Sequence, residues 1–196
     1  MSTVPKITRN SLLTLEAYAR QRAAMKARVI PHRRLRSVSI GEHLTLQFED
    51  ETTIRYQIQE MLRVEKIFEE EGIQGELDAY LPLVPDGSNW KATMMLEYPD
   101  VEQRRLALGR LIGIEDRVYV QVADHARLYA IADEDLPRER ADKTSSVHFL
   151  RFEFTPEMKA AVVGGASVRM GVDHPGYLAE VSLAAETLQA LRADLE

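Results

Sequence analysis

Hydrophobic and polar residues alternate along several segments of the chain with the two-residue period of a half-buried β-strand. The first two such segments, 35–40 and 43–48, flank Gly41 and therefore predict a hairpin. The other alternating segments predict two more hairpins and two single strands, at 117–122 with 127–131, at 167–172 with 177–183, at 90–98 and at 147–154. Strands that arrive mainly as hairpins indicate antiparallel pairing.

A helical period appears first near the start of the chain. Thr8 is a suitable N-cap, and Leu12, Leu15, Ala19, Ala23 and Met25 form a modest apolar stripe. Pro31 removes a backbone donor and is expected to end the helix. The sequence therefore predicts a helix over about 8–29.

Five more helices are predicted between or after the strands. Asp100 is the expected N-cap of one, and Thr155 with Pro156 begins another that ends at Gly164. The five are placed at 54–71, 74–81, 100–111, 156–163 and from 184 to about 195. The charged segment 133–143 has no period and is expected to be a loop.

These elements predict an α+β protein with a largely antiparallel curved sheet, built from hairpins with inserted helices. No linker-like stretch divides the sequence. We therefore expect one domain, 1–196, in which the helix over about 8–29 packs on an α+β body over 35–196.

The composition excludes several classes of chemistry. The 196 residues include no cysteine, which excludes disulfides, thiolate zinc sites, iron–sulfur clusters held by this chain and a cysteine nucleophile. With 45% hydrophobic and 29% charged residues, the chain has the composition of a soluble globular protein. It shows no signal-peptide core and no apolar stretch long enough to span a membrane, so a cytoplasmic location is expected.

Charge is distributed unevenly. The first 40 residues carry nine Lys or Arg against Glu16, whereas the rest carry 16 basic against 30 acidic residues. The basic segment either lies on its own acidic body or docks on an acidic partner, and the docking candidates are Arg28, Arg33, Arg34 and Arg36. Nucleic acid is an unlikely partner, because the protein is acidic overall and lacks interleaved aromatic residues.

No common catalytic signature is present. The sequence has no phosphate-binding glycine loop, nucleophile elbow, zincin motif or Glu-x-x-His pair. The five histidines have no short-range spacing suited to a metal. We therefore predict no metal and no cofactor.

The strongest local candidate for a binding site is the segment 86–93. It combines Asp86, Asn89, Trp90, Lys91 and Thr93 around a turn in which Gly87 allows close backbone approach. A strand that begins at Trp90 would place Lys91 and Thr93 on one face, as contacts for a ligand. The alternative is that Asp86 and Asn89 hold the turn while Trp90 fills the core.

Further candidates lie elsewhere. Glu60 and Arg63 are spaced to form a surface ion pair, and Glu65 falls near the apolar seam of its helix, where it either pairs with the basic N-terminal helix or marks a pocket. His148 is interpreted as a core imidazole or a ligand-binding group, with Arg151 on the opposite strand face. His174 lies at a hairpin tip and is either exposed and titratable or part of a plain turn.

Several runs resemble a bacterial family catalogued only as a domain of unknown function. They are Gln57–Arg63, Glu76–Tyr80, Asp86–Thr93, Gly113–Glu115, Ser146–Phe152 and Asp173–Tyr177. The genes of that family lie beside rubrerythrin and an iron–sulfur oxidoreductase similar to heterodisulfide reductase subunits, which implies a link to redox metabolism. The resemblance brings no catalytic residues with it.

Two functional hypotheses follow. The first is an accessory protein that binds a redox partner, an iron–sulfur oxidoreductase or a rubrerythrin, as the resemblance implies. The second is a small-molecule-binding protein or enzyme, whose pocket is lined by Glu65, Asp86, Asn89, Lys91 and histidines. The second requires these side chains to converge in one concave site.

Overall fold

The computed structural model describes residues 7–135 and 142–195, and within them the chain forms both helices and strands. The helices are α1 Leu15–Leu35, α2 Glu51–Val64, α3 Glu70–Tyr80, α4 Val101–Arg110, α5 Pro156–Val163 and α6 Ala185–Arg192. The strands are β1 Ser37–Ile40, β2 Leu44–Phe48, β3 Asn89–Leu96, β4 Val118–Val122, β5 Leu128–Tyr129, β6 Ile131–Ala132, β7 Val147–Glu153, β8 Val168–His174 and β9 Tyr177–Ser182. The predicted α+β class is confirmed.

The described strands form two antiparallel sheets, whereas the hairpin pattern predicts one curved sheet. The first has the order β1-β2-β3-β7-β6 and the second β5-β4-β8-β9. All three predicted hairpins are confirmed. The chain passes from one sheet to the other between β5 and β6, a separation of one residue that the alternation pattern does not reveal.

The inner faces of the two sheets share one apolar core. Side chains of the first sheet, among them Leu46, Trp90 and Phe152, belong to the same buried cluster as Val120 and Met170 of the second sheet. Alternation produces this arrangement, because every second residue of each strand points inward. The opposite face of β3 and β7 carries the polar side chains of both strands, among them Lys91 and Arg151, and also Phe149.

Local capping chemistry determines where several helices begin. The Asp100 side chain accepts a hydrogen bond from the backbone N–H of Gln103, and Thr155 accepts one from Met158. Each bond satisfies a donor that the first helical turn leaves unpaired. Both predicted N-caps are therefore confirmed.

The N-terminal helix differs from the prediction at both ends. It begins at Leu15 with Thr14 as N-cap, while Thr8 caps only a short 3₁₀ turn. It also continues through Pro31 to Leu35. Pro31 has no backbone N–H, so the carbonyl of Ala27 has no helical hydrogen-bond donor. Both residues are exposed on the helix surface. The expected apolar stripe is only partly buried. Leu12 and Leu15 belong to an apolar cluster with Ile58, whereas Ala19 and Ala23 are exposed. The helix buries Tyr18 and Val29 instead.

The segment 54–81 also divides differently from the prediction. The helix expected over 54–71 ends at Val64, and the next begins at Glu70 rather than Gln74. Phe68, which falls inside the helix expected over 54–71, lies between the two observed helices and is 70% exposed. Both helices contribute to a second apolar cluster, which is separate from the core between the sheets and includes Ile58, Ile73 and Leu77.

Arg36, just after α1, connects distant parts of the fold. Its guanidinium is 2% exposed, donates to the carbonyls of Phe48, Glu49 and Ala190, and pairs with Asp194. This buried network links the end of α1 to β2 and to the C-terminus. That residues 1–196 form one domain stays a prediction, and these contacts between distant segments support it. Among the described residues, no helix has the length and apolar character needed to cross a membrane.

Candidate functional site

A concave pocket of about 560 Å³ lies against the polar face of β3 and β7. One wall is the end of α3 and the turn that follows it, which contribute Asp78, Ala79, Pro82 and Leu83. The strands contribute Asn89, Lys91, Phe149, Leu150 and Arg151, and the rim is completed by Asp86, Glu134 and Asp135. We call this site the Lys91 pocket. Its volume is in the range of small-molecule sites.

Strand register places the two cations of the pocket side by side. Lys91 of β3 lies directly opposite Arg151 of β7 in the antiparallel pair. Residues opposite one another in such a pair have neighbouring side chains, and two like charges there are destabilising unless other groups compensate them. Trp90 and Ala92 point into the core, so Lys91 is directed to the outer face as the alternation predicts.

Carboxylates compensate the charge of Arg151. Glu134 accepts two hydrogen bonds from its guanidinium, both at 2.8 Å, and Glu153 accepts a third at 2.5 Å. The hydrogen bonds with Glu134 raise the pKa of Arg151, and the same bonds lower the pKa of Glu134. Arg151 is thus fixed as a permanent positive charge beside the pocket.

Lys91 is in a different environment. Its Nζ donates to the carbonyl oxygen of Pro82 at 2.5 Å, and it forms no ion pair with a carboxylate of the described residues. Burial lowers its pKa, and the neighbouring Arg151 lowers it further. The pocket therefore contains a half-buried ammonium group that no carboxylate of residues 7–135 and 142–195 contacts directly.

The turn before β3 is held by short polar contacts. The Asp86 carboxylate accepts hydrogen bonds from the backbone and the hydroxyl of Ser88, and Asn89 donates to Glu153 at 3.1 Å. Gly87 has φ +96°, a conformation that favours glycine. Burial opposes the ionisation of Asp86, but the hydrogen bonds from Ser88 outweigh it and lower the pKa of this carboxyl. Asp86 and Asn89 therefore hold the turn, as one alternative predicts, and they also line the pocket.

Trp90 and Thr93, also in the predicted segment, do not line the pocket. The Trp90 ring is buried in the core and donates through Nε1 to the carbonyl oxygen of Leu191 at 2.9 Å. Thr93 donates to the buried carboxylate of Glu49 at 2.8 Å. Of the candidates in the segment 86–93, only Asp86, Asn89 and Lys91 therefore line the pocket.

Three other candidates lie away from the pocket, on or after α2. Glu60 accepts hydrogen bonds from Tyr18 and Arg22 of α1 and from Arg63, so both Glu60 and Arg63 serve the contact between helices. Glu65 is the exposed C-cap of α2, and its carboxylate pairs with no described residue of the N-terminal helix. The carboxylate of this helix that pairs with the basic N-terminal helix is therefore Glu60, not Glu65.

His174 shapes its own turn. Its Nδ1 accepts from the backbone N–H of Gly176 at 3.0 Å, and its Nε2 lies 3.1 Å from the carbonyl oxygen of Ile112. The imidazole is therefore engaged on both nitrogens by the backbone, in agreement with the plain-turn alternative. It is not part of the Lys91 pocket.

His148 lies on the core side of β7, within a buried polar cluster. Its Nδ1 is 2.6 Å from Asp133, and its Nε2 is 2.8 Å from the Thr144 hydroxyl and 3.8 Å from Glu115. The ligand atoms of Glu115, Asp133 and His148 all lie within 4.8 Å of one another, which is compact enough to be considered for a metal. The carboxylates flank opposite nitrogens of one ring, and both nitrogens are at hydrogen-bond distance from protein oxygens. We therefore interpret the cluster as a hydrogen-bond network.

The docking candidates fall into two groups. Arg28 and Arg34 are exposed on α1, Arg33 is half-buried, and none of them forms an ion pair with a described residue. Arg36 is buried and engaged by backbone carbonyls and Asp194, which removes it from any docking surface in this structure. Other basic residues do lie on the protein's own acidic body, as Arg22 does on Glu60.

Several pocket residues were not singled out from the sequence. Glu134 lay in a segment expected to be a loop, part of which, 136–141, is outside the described residues. Alternation along 147–154 puts Phe149 on the same strand face as Arg151, but its place beside β3 depends on the register of β3 and β7. The apolar wall at Leu83 depends on how α3 packs beside the sheet. Only the shared strand face of Phe149 and Arg151 was a usable signal.

A protein-family model described as "Protein of unknown function (DUF3501)" matches residues 6–195. The chain belongs to this family. A crystal structure of a novel protein of unknown function from Burkholderia pseudomallei K96243 is 60% identical and superposes with a TM-score of 0.93. The match covers 97% of this chain and 99% of that one. No curated protein matches the sequence.

Proposed function

We propose that this DUF3501 protein binds a small molecule in the Lys91 pocket. The observation that carries the proposal is convergence: Asp86, Asn89, Lys91 and Arg151, candidates chosen from the sequence, line one cavity of about 560 Å³. A purely scaffolding protein does not require such convergence. Glu65, His148 and His174 lie outside the cavity and are not part of the proposal.

The pocket combines features that small-molecule sites share. Apolar side chains of Leu83 and Phe149 offer contact area, Lys91 offers a charged donor, and Arg151 holds neighbouring carboxylates in place. The hydrogen bonds that fix Arg151 and the 86–89 turn also fix the cavity before any ligand arrives. Such preorganisation reduces the entropy that a ligand loses on binding.

The proposal is tested by obstructing the cavity. Ala79 is exposed at the pocket wall on α3, so Ala79→Trp is expected to fill the space without disturbing the core. Ala24→Trp makes the same change on the exposed surface of α1 and serves as the control. Native mass spectrometry of protein isolated from its own host is expected to show a small molecule in whole-number ratio on the wild type and on Ala24→Trp, but not on Ala79→Trp. If each of the three proteins showed only the mass of its own polypeptide, the proposal would be refuted.

A second candidate function is that of an accessory protein for a redox partner, an iron–sulfur oxidoreductase or a rubrerythrin, as the sequence resemblance implies. The supporting observation is that Arg28 and Arg34 remain exposed on α1 and without ion pairs to described residues, although the protein is acidic overall. Exposed charges of this kind promote association with an oppositely charged surface.

This candidate predicts a salt-sensitive interaction. The double variant Arg28→Glu, Arg34→Glu is expected to lose capture of purified rubrerythrin at low salt, whereas the control Arg105→Glu on α4 retains it. Absence of binding to both redox proteins, at low and at physiological salt, would exclude this function.

A further inference from the structure

Lys91 restricts the kind of molecule that the proposed pocket accepts. An ammonium group that is half-buried loses part of its hydration, and the loss is recovered when an anion approaches it. Among the described residues, Lys91 donates a hydrogen bond only to a backbone carbonyl, and Asp86, Glu134 and Glu153 act on it through their charge alone. Glu134 and Glu153 are hydrogen-bonded to Arg151. The structure thus leaves a place for one negative group beside Nζ.

The rim of the pocket has the opposite charge. Among the described lining residues, Lys91 and Arg151 stand beside four carboxylates, those of Asp78, Asp86, Glu134 and Asp135, an excess of two negative charges. A ligand with several negative charges is disfavoured there, because the carboxylates repel it over distances within the Debye length. A positive group at the rim is favoured for the same reason.

The pocket also has apolar lining. Pro82, Leu83 and Phe149 line it together with Lys91 and the acidic residues. An aliphatic or aromatic framework buries apolar area against these side chains, which contributes about 25 cal/mol per Å² removed from water. An aromatic ring also finds a partner in Phe149.

We propose that the ligand of the Lys91 pocket is a small amino carboxylate, with its carboxylate on Lys91, its ammonium group at the acidic rim and an apolar framework between them. This inference rests on the proposed small-molecule function and specifies its ligand class. Arg151 acts as a positioning residue, because its charge is neutralised by Glu134 and Glu153 and its guanidinium holds the rim in place.

Four probes of similar size separate the contributions of the two charged groups. They are 4-(aminomethyl)benzoate, which has both groups, benzoate, benzylamine and the dianion phenyl phosphate. Isothermal titration calorimetry on the wild type is expected to rank 4-(aminomethyl)benzoate first and phenyl phosphate last. Phenyl phosphate as the tightest of the four would overturn the inference and leave the pocket itself intact.

Variants assign each group to its contact. Lys91→Met keeps the aliphatic stem and is expected to weaken binding of the two carboxylate-containing probes at least tenfold, with benzylamine unaffected. Asp86→Asn retains the Oδ1 acceptor for Ser88 and is expected to weaken only the amine-containing probes. Lys26→Met and Asp124→Asn are the matched exposed controls, and circular dichroism confirms that all four variants fold.

Two outcomes distinguish this inference from the proposal beneath it. Unchanged carboxylate binding in Lys91→Met would refute the amino-carboxylate assignment while the pocket stands. Absence of binding by every probe, together with a bare wild-type mass from the native host, would refute the pocket function as well.

Discussion

At the residue scale, Asp133 shows how a buried polar contact sustains an unfavourable backbone conformation. Its φ is +49°, a region that residues other than glycine seldom occupy. Its carboxylate accepts from the backbone N–H of Phe149 at 3.0 Å and lies against His148, and its own N–H donates to the Phe149 carbonyl. These contacts hold the chain so that the next residue, Glu134, reaches Arg151 in the pocket.

His148 is therefore expected to be essential for stability. Replacement by alanine leaves Asp133 and Glu115 buried beside a cavity without their imidazole partner, and a buried polar group that loses its hydrogen-bond partner typically costs about 1–3 kcal/mol, more when the group is charged. We expect His148→Ala to lower the free energy of unfolding by about 3 kcal/mol in urea denaturation. The control His125→Ala, on a connecting turn, should have little effect. A loss below about 1 kcal/mol in His148→Ala would show that the cluster is not a stabilising network.

At the element scale, α1 is attached to α2 through one carboxylate. Glu60 accepts from the Tyr18 hydroxyl at 2.5 Å, from Arg22 at 2.7 and 2.9 Å, and from Arg63 at 3.1 Å. The hydrogen bonds from Arg22 outweigh burial and, with those from Tyr18 and Arg63, lower the pKa of Glu60 from 4.5 to about 2. A lowered carboxyl pKa means that the folded state holds the ionised form more strongly than the unfolded state does.

This contact has a defined pH dependence. The stability that the Glu60 carboxylate supplies is present above its unfolded pKa of 4.5 and is lost as the pH falls toward 2. We expect Glu60→Gln to be about 1–2 kcal/mol less stable than the wild type at pH 7, with the difference shrinking below pH 4.5. Urea denaturation between pH 3 and pH 7 measures it, with Glu71→Gln as the exposed control. A difference that stayed constant over this range would contradict the assigned role.

Elements were predictable from the sequence where short-range chemistry defines them. The N-caps Asp100 and Thr155 and the alternation in β7 are properties of adjacent residues, and each was predicted correctly. The limits of α1 were not predictable in this way. Thr8 and Thr14 have the same capping chemistry, so the local sequence does not show which of them begins α1. In the structure α1 begins after Thr14, and its first turns bury Tyr18 against α2.

At the scale of the whole molecule, Arg36 and Asp194 join residues that are far apart in sequence. Burial raises the pKa of Asp194 from 3.8 to about 6, even though the charge of Arg36 acts in the opposite direction. The folded state therefore binds this proton more tightly than the unfolded state. The corresponding stability is complete below pH 3.8 and is lost as the pH rises through about 6.

Asp194→Asn removes this titration. We expect the free energy of unfolding of the wild type, relative to Asp194→Asn, to fall by roughly 2 kcal/mol between pH 4 and pH 7, opposite in sign to the effect of Glu60. Denaturation at pH 4, 5, 6 and 7 measures it, and Asp116→Asn is the exposed control. Parallel stability curves for the wild type and Asp194→Asn would contradict this expectation.

The pocket itself depends on this larger scale, which explains why the sequence revealed only part of it. Lys91 and Asp86 could be singled out because they share one short polar segment. The opposition of Lys91 and Arg151 depends on the register between β3 and β7, and the position of Leu83 depends on the packing of α3. The strand register and the packing of α3 both depend on contacts between distant segments, so the spacing of residues within one segment does not predict them.

Trp90 is an intrinsic fluorescent probe of how the C-terminal helix α6 packs on the core. It is the only tryptophan of the chain, is fully buried, and donates its indole hydrogen bond to the Leu191 carbonyl in α6. Its fluorescence is expected to be blue-shifted in the native protein and to move to longer wavelength when α6 detaches from the core. Since the indole points away from the Lys91 pocket, emission follows the docking of the last helix separately from events at that site.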